Sequence, residues 1–195
     1  MPRVSPITGA ADVAAEHRGV VDAVQKVFGN VRGPFSMLLH SPKLADRILP
    51  LVTFFRDESV VDAKLRSIAI LSAVREREAA YVWSAQVGAA RRNGLREEVI
   101  DVLRAKGDPR SLPDEEREIV TYVRQLMRTN RVDQAAFDAL KKRHDAQWMV
   151  ELTAAVAWEN FRARFNHALG IEAQGYAEGA FCVLPERPGP GGGRR

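Results

Sequence analysis

Nowhere along this chain do apolar and polar residues alternate with period two between turn signals, and that absence removes the sheet-based folds. Apolar residues recur instead at three- and four-residue spacing, so the chain has to bury its hydrophobic faces as packed α-helices. The expected fold is all-α. A first helix over 13–27 stops at Gly29-Asn30. Pro34 opens a short helix over 35–39, and His40-Ser41-Pro42 breaks it. Ser41 is the expected N-cap and Pro42 the first helical residue of the next helix. That helix covers 43–56, with Leu44, Ile48, Leu51, Val52 and Phe55 on one side and Pro50 placed to kink or split it. Asp62 caps a helix over 63–74 whose run Ile68-Ala69-Ile70-Leu71 is apolar nearly all round, the mark of an element buried on most faces. Further helices are expected over 78–92, over 96–105, from Pro113 and its acidic first turn to Thr129, over 133–143, and over 148–169 before Gly170.

A chain of 195 residues, 46% hydrophobic and 28% charged, suffices for one globular domain with a real core. The expected domain spans 1–184. The tail 185–195, dominated by Pro and Gly, has nothing apolar to pack and reads as a flexible extension. No apolar run is long enough for a membrane span, and no apolar stretch follows a basic start in the first fifteen residues, so neither a membrane partner nor a signal peptide is expected. Cys182 is the single cysteine, which excludes an internal disulfide or a CxxC pair and fits a reducing cytoplasm. The formal charge is +4, but basic residues interleave with acidic ones, as in Arg75-Glu76-Arg77-Glu78. Such runs make solvated helix faces, so nucleic acid is not an expected partner.

Four segments in order resemble the longer, cysteine-less branch of the carboxymuconolactone decarboxylase / alkyl hydroperoxidase D-like family. They are Gly33-Pro34-Phe35-Ser36-Met37-Leu38-Leu39-His40-Ser41-Pro42-Lys43-Leu44-Ala45, then Lys64-Leu65-Arg66-Ser67-Ile68-Ala69-Ile70-Leu71, then Tyr81-Val82-Trp83-Ser84-Ala85-Gln86-Val87 leading to Asn93-Gly94-Leu95, and last Val150-Glu151-Leu152 continuing to Ala163-Arg164-Phe165-Asn166. The resemblance implies a single-domain helical bundle with a central antiparallel helix hairpin. It also implies assembly into a homo-oligomer (dimer, trimer or hexamer). The peroxidase branch of that family carries Cys-x-x-Cys-x-x-x-His and an upstream Glu; the matching positions here are Ala79, Val82, Gln86 and Ser67. Ala and Val cannot attack a peroxide, and Gln cannot exchange a proton near neutral pH, so CxxC hydroperoxidase chemistry is excluded. The cysteine-less branch often keeps Glu and His where this chain has Val82 and Gln86, so the inherited acid/base pair is missing too.

The chemistry that remains has to come from other side chains. On the last helix Glu159 and Arg162 stand three apart in an otherwise apolar sequence, where an i,i+3 pair can touch. They read either as a pocket base with a carboxylate clamp or as a local ion pair at an oligomer surface. Glu151, Ala155, Trp158, Phe165 and Asn166 belong to the same stripe, and Asn166 and the following His167 are candidate contacts to a bound molecule. Tyr81, Val82, Ala85, Gln86 and Ala89 share a face of the second core helix, and Gln86 is a candidate to line a binding site. Tyr81, Trp83 and Trp158 are candidate walls of a binding site, against the commoner use of tryptophan in cores and interfaces. Arg66 is a candidate ligand contact or a surface ion pair. His40, at the turn after the short helix, is a candidate acid or a helix-end histidine bonded to a carbonyl. No histidines have metal-ligand spacing with a carboxylate, so no metal is expected, and no cofactor is implied. The expected activity is a cofactor-independent lyase or decarboxylase acting on a small carboxylated or lactone-like molecule. The competing expectation is an inactive relative that binds or assembles.

Overall fold

The structure is a computed structural model that describes residues 2–171; the 185–195 tail, the 1–184 domain limit and Cys182 fall outside the described residues. Among the described residues there is no β-strand, and nine α-helices form: α1 Arg18–Phe28, α2 Pro34–Leu38, α3 Pro42–Asp57, α4 Ala63–Glu76, α5 Ala80–Arg92, α6 Glu97–Arg104, α7 Asp114–Thr129, α8 Gln134–Lys141 and α9 Ala146–Leu169. No helix among them is long and apolar enough to cross a membrane.

The chain packs as two layers. The larger has α4 at its centre, against α5, α7 and α9. This follows from composition: Ile68, Ala69, Leu71, Ala73 and Val74 are spread around the helix and all buried, so α4 has to be covered on most faces. Its start is fixed by Asp62, whose carboxylate accepts from the backbone N–H groups of Lys64 (2.9 Å) and Leu65 (3.2 Å). Residues 77–79 turn the chain into α5. The helix does not begin at Glu78, because that residue takes φ 52° and its carboxylate is held by Arg75 and, at 2.5 Å, by Lys106. At the far end of α5 the Asn93 amide donates to Ser67 Oγ (3.0 Å), so α5 finishes beside the start of α4.

The smaller layer is α1–α3 with the N-terminal segment, built on Val21, Val24, Phe35, Leu38, Ile48 and Leu49. Trp158 and Phe165 of α9 pack against it, so α9 serves both layers. Two expectations fail here. Pro50 does not split α3 into two helices: the helix runs unbroken over Pro42–Asp57, because Pro50 lies on its exposed side, where water can serve the unpaired carbonyl. The buried face of α3 is also rotated from the expected one. Leu44 and Leu51 are 45% and 41% exposed, while Ala45 and Leu49 are buried beside Ile48 and Phe55. Ser41 occupies the N-cap position, but no side-chain capping bond forms.

Candidate functional site

Where the layers meet they do not close completely. A cavity of about 290 Å³ remains between α1–α3 on one side and α4, α5 and α9 on the other. Five aromatic side chains stand in its walls: Phe28, Phe35, Phe55, Tyr81 and Trp158. Its polar groups are Asn30, Arg32 and Arg56 from the outer layer and Arg66, Ser67, Gln86, Asn93, Glu159 and Arg162 from the inner one. The volume suits a one-ring organic molecule, at the small end of the roughly 300–1,000 Å³ of ligand pockets.

Glu159 and Arg162 are the chemical centre. Both project from α9 into the cavity, and Arg162 Nη1 donates to Glu159 Oε1 at 2.7 Å. Glu159 is only 2% exposed, and its second oxygen, Oε2, is buried without a hydrogen-bond partner. Burial pushes the Glu159 carboxyl above the usual carboxylate range, and the Arg162 guanidinium only partly opposes it. A carboxyl in that state exchanges protons closer to neutral pH than an ordinary glutamate does.

The other arginines are engaged differently. Arg66 donates to the carbonyls of Val61 (2.8 Å) and Arg56 (3.0 Å), which fastens the α3–α4 connection to α4. Arg56 is paired with Asp57 at 2.7 Å. Arg32, in the loop before α2, is exposed and has no ion-pair or hydrogen-bond partner among the described residues. Gln86 likewise has no hydrogen-bond partner among the described residues. Tyr81 reaches across to the loop before α2, where Gly33 has φ 57° and ψ −137°. A Cβ on Gly33 would lie 2.1 Å from the Tyr81 hydroxyl oxygen, so the absence of a side chain there is what lets the tyrosine seat.

Of the residues singled out from sequence, the structure brings Arg66, Tyr81, Gln86, Trp158, Glu159 and Arg162 to one cavity. It leaves four elsewhere. Trp83 is completely buried in the larger core, because α5 turns that face toward the core rather than toward the cavity. His40 Nε2 meets the Ser5 carbonyl at 2.8 Å and lines a separate apolar cavity of about 230 Å³. His167 is exposed on the last turn of α9. Asn166 is buried one turn beyond Arg162, with neither amide atom partnered, and is not part of the cavity wall. Arg32, Asn30, Arg56 and Asn93 are cavity residues that sequence patterning passes over. The Gly29-Asn30 stop signal and Gly33-Pro34 bracket the loop that carries two of them and were the available clue.

No family model matches the chain. One stretch of 91 residues is 40% identical to the uncharacterized protein YnjA of Escherichia coli K12, covering 45% of this chain and 47% of YnjA, so the chain spans about half the length of the curated relative that it matches. The debrominase Bmp8, solved in complex with 2,3,4-tribromopyrrole, superposes with a TM-score of 0.72 over 91% of this chain and 94% of its own, at 18% identity. The alkylhydroperoxidase AhpD core of a peroxidase-related protein from Ralstonia eutropha JMP134 gives 0.71 over 88% and 91%, at 17% identity. The chain has the AhpD-like fold.

Within this AhpD-like fold the four divergent positions fall into two groups. Ala79 and Val82 are packed into the core, so that part of α5 offers no nucleophile. Ser67 and Gln86 face the cavity, with the Ser67 hydroxyl spent on the Ala63 carbonyl at 2.8 Å and accepting from Asn93. The ionisable carboxyl of the cavity in this chain therefore comes from α9.

Proposed function

We propose that this protein is a carboxymuconolactone decarboxylase-like enzyme, a cofactor-independent lyase that removes or shifts a carboxyl group on a small unsaturated ring. One observation carries the reading: a buried carboxyl, Glu159, with an unpartnered oxygen and a guanidinium beside it on the same aromatic-walled cavity. Arg162 holds the substrate carboxylate and the aromatic walls hold the ring flat. As the bond to the carboxylate breaks, carbon dioxide leaves and the electron pair stays on the ring as an enolate. Gln86 donates a hydrogen bond to that oxygen, and Glu159 delivers a proton to carbon. The flat halogenated pyrrole bound by Bmp8 supports a planar ligand in this fold.

The absence of proton-transfer side chains at Ser67, Ala79, Val82 and Gln86 favours a second reading, a binding protein that keeps the cavity without turnover. A panel of β-keto acids and unsaturated lactone carboxylates, followed by carbon dioxide release, separates the two. Release that Glu159→Gln lowers at least ~100-fold supports the enzyme. Saturable binding with no release at any pH supports the binding protein. The same reading has the protein as a cytoplasmic homo-oligomer. The outward face of α9, with Val150 67% and Phe161 42% exposed, offers apolar surface for a second copy, and light scattering of the purified chain measures its mass.

A further inference from the structure

Glu159 and Arg162 compensate one another, and the surroundings offer Glu159 nothing else. Oε1 has one partner, Arg162 Nη1, and Oε2 has none. The charged and titratable groups facing the cavity from the packed elements are Arg66 on α4, Tyr81 on α5, Arg56 on α3 and Arg32 in the loop before α2. Arg66 is committed to two backbone carbonyls and Arg56 to Asp57. Arg32 is exposed, where solvent and salt weaken its field. Among the described residues, Arg162 is therefore the only cation in contact with the Glu159 carboxylate. A ligand carboxylate entering the cavity has to share that same guanidinium. With the other arginines of the cavity held away from Glu159, two carboxylates against the one Arg162 guanidinium repel each other, and such a pair relieves the repulsion by holding a proton.

We propose that an anionic ligand enters this cavity together with a proton, which is taken up by Glu159 as the ligand displaces it from Arg162. The inference rests on the clamp assigned to Arg162 above and adds the proton to it. It also closes the chemical cycle. In the resting site the pair is neutral, Arg162 with Glu159 carboxylate. Binding brings in one carboxylate and one proton. The carbon–carboxylate bond then breaks, carbon dioxide leaves, and the electron pair forms the new C–H bond with the Glu159 proton. Glu159 returns to Arg162 as carboxylate. Substrate anion plus proton gives neutral product plus carbon dioxide, with the cavity charge unchanged at the end. Glu159 is thus armed as an acid only when a substrate is present.

The experiment is titration calorimetry of the full chain with benzoate, a flat carboxylate, in pairs of buffers of different ionisation heat from pH 5 to 9. Binding and proton uptake are separate readouts. The expected result is binding accompanied by uptake that rises toward one proton per ligand over part of that range, with affinity weakening up to tenfold per pH unit there. In Glu159→Gln the binding persists and the uptake vanishes. Binding with no uptake at any pH overturns the coupling while leaving the clamp intact. Absence of binding overturns the clamp, and the coupling falls with it. A measurement without ligand guards against a variant that fails to fold: the Glu159 carboxyl carbon, followed by NMR in Arg162→Gln, should titrate at least one pH unit higher than in the parent protein and in Arg162→Lys. An unshifted titration overturns the coupling.

Discussion

Gly33→Ala tests the seam between the two layers at its tightest point. The new Cβ would sit 2.1 Å from the Tyr81 hydroxyl oxygen, 2.4 Å from Cζ and 2.7 Å from Cε1. Unstrained contacts between such atoms lie near ~3.5 Å, so the ring has to move by about 1.4 Å or the loop has to lift. Forcing that shift in a packed region costs about 1–3 kcal/mol. The backbone adds its own penalty, since φ 57° with ψ −137° is a conformation that L-residues avoid at about 1–3 kcal/mol. The sum, about 2–6 kcal/mol, lowers the melting temperature by roughly 4–24 °C for a domain of this size. Urea denaturation of four proteins resolves the two parts: the parent, Gly33→Ala, Tyr81→Ala and the double variant. In the Tyr81→Ala background the glycine change should cost only its backbone part, so the cycle should show a coupling of at least ~1 kcal/mol. Tyr81→Phe should give no rescue, because Cζ remains at 2.4 Å. A Gly33→Ala protein within about 0.5 kcal/mol of the parent, or a coupling near zero, would refute the claim that the missing side chain is what admits the tyrosine.

Glu159→Gln should become progressively more stable than the parent as pH rises. Burial raises the folded-state carboxyl, so its favourable contribution is complete below the ordinary carboxylate range. That contribution is lost as pH climbs through the raised value, by about 1.4 kcal/mol for each pH unit separating the two. Urea midpoints at pH 5, 7 and 9 measure this, and a difference that is flat with pH contradicts it. Asp62→Ala removes the acceptor for two N–H groups at the start of the central helix and should cost about 1 kcal/mol, read from the same midpoints. Arg162→Met should weaken benzoate binding by about 10- to 100-fold, the worth of a charge-assisted contact. Arg32→Gln should weaken it less, and the deficit should disappear at high salt because Arg32 is exposed.

The helices were legible because period and punctuation agree: Asp62 starts α4, Gly170 ends α9, and both signals are local chemistry. Glu159 and Arg162 were legible for a related reason, since two charges in an apolar helix need each other. What local pattern could not give was the neighbour across a given face. Trp83 and Tyr81 are two residues apart on α5, yet one fills the core and the other the cavity, a difference set by where α1–α3 lie. Arg32 and Arg56 look like solvated surface in sequence and become cavity residues only because the smaller layer folds over α4 and α9. The face of α3 was misjudged for the same reason: leucines at 44 and 51 satisfied the period, but the partner layer took Ala45 and Leu49.

The two separately packed layers divide labour in a way that bears on how such a protein diversifies. The larger layer holds the buried acid and nearly all of the core that α4 organises, whereas loop 29–33 and α1–α3 contribute aromatic and cationic cavity walls from outside it. Substitutions in the first sixty residues can therefore remodel what the cavity accepts while leaving the helix that carries the chemistry untouched. A lineage built this way can explore new small molecules by rewriting its cover, and a protein engineer can do the same by exchanging that cover between relatives.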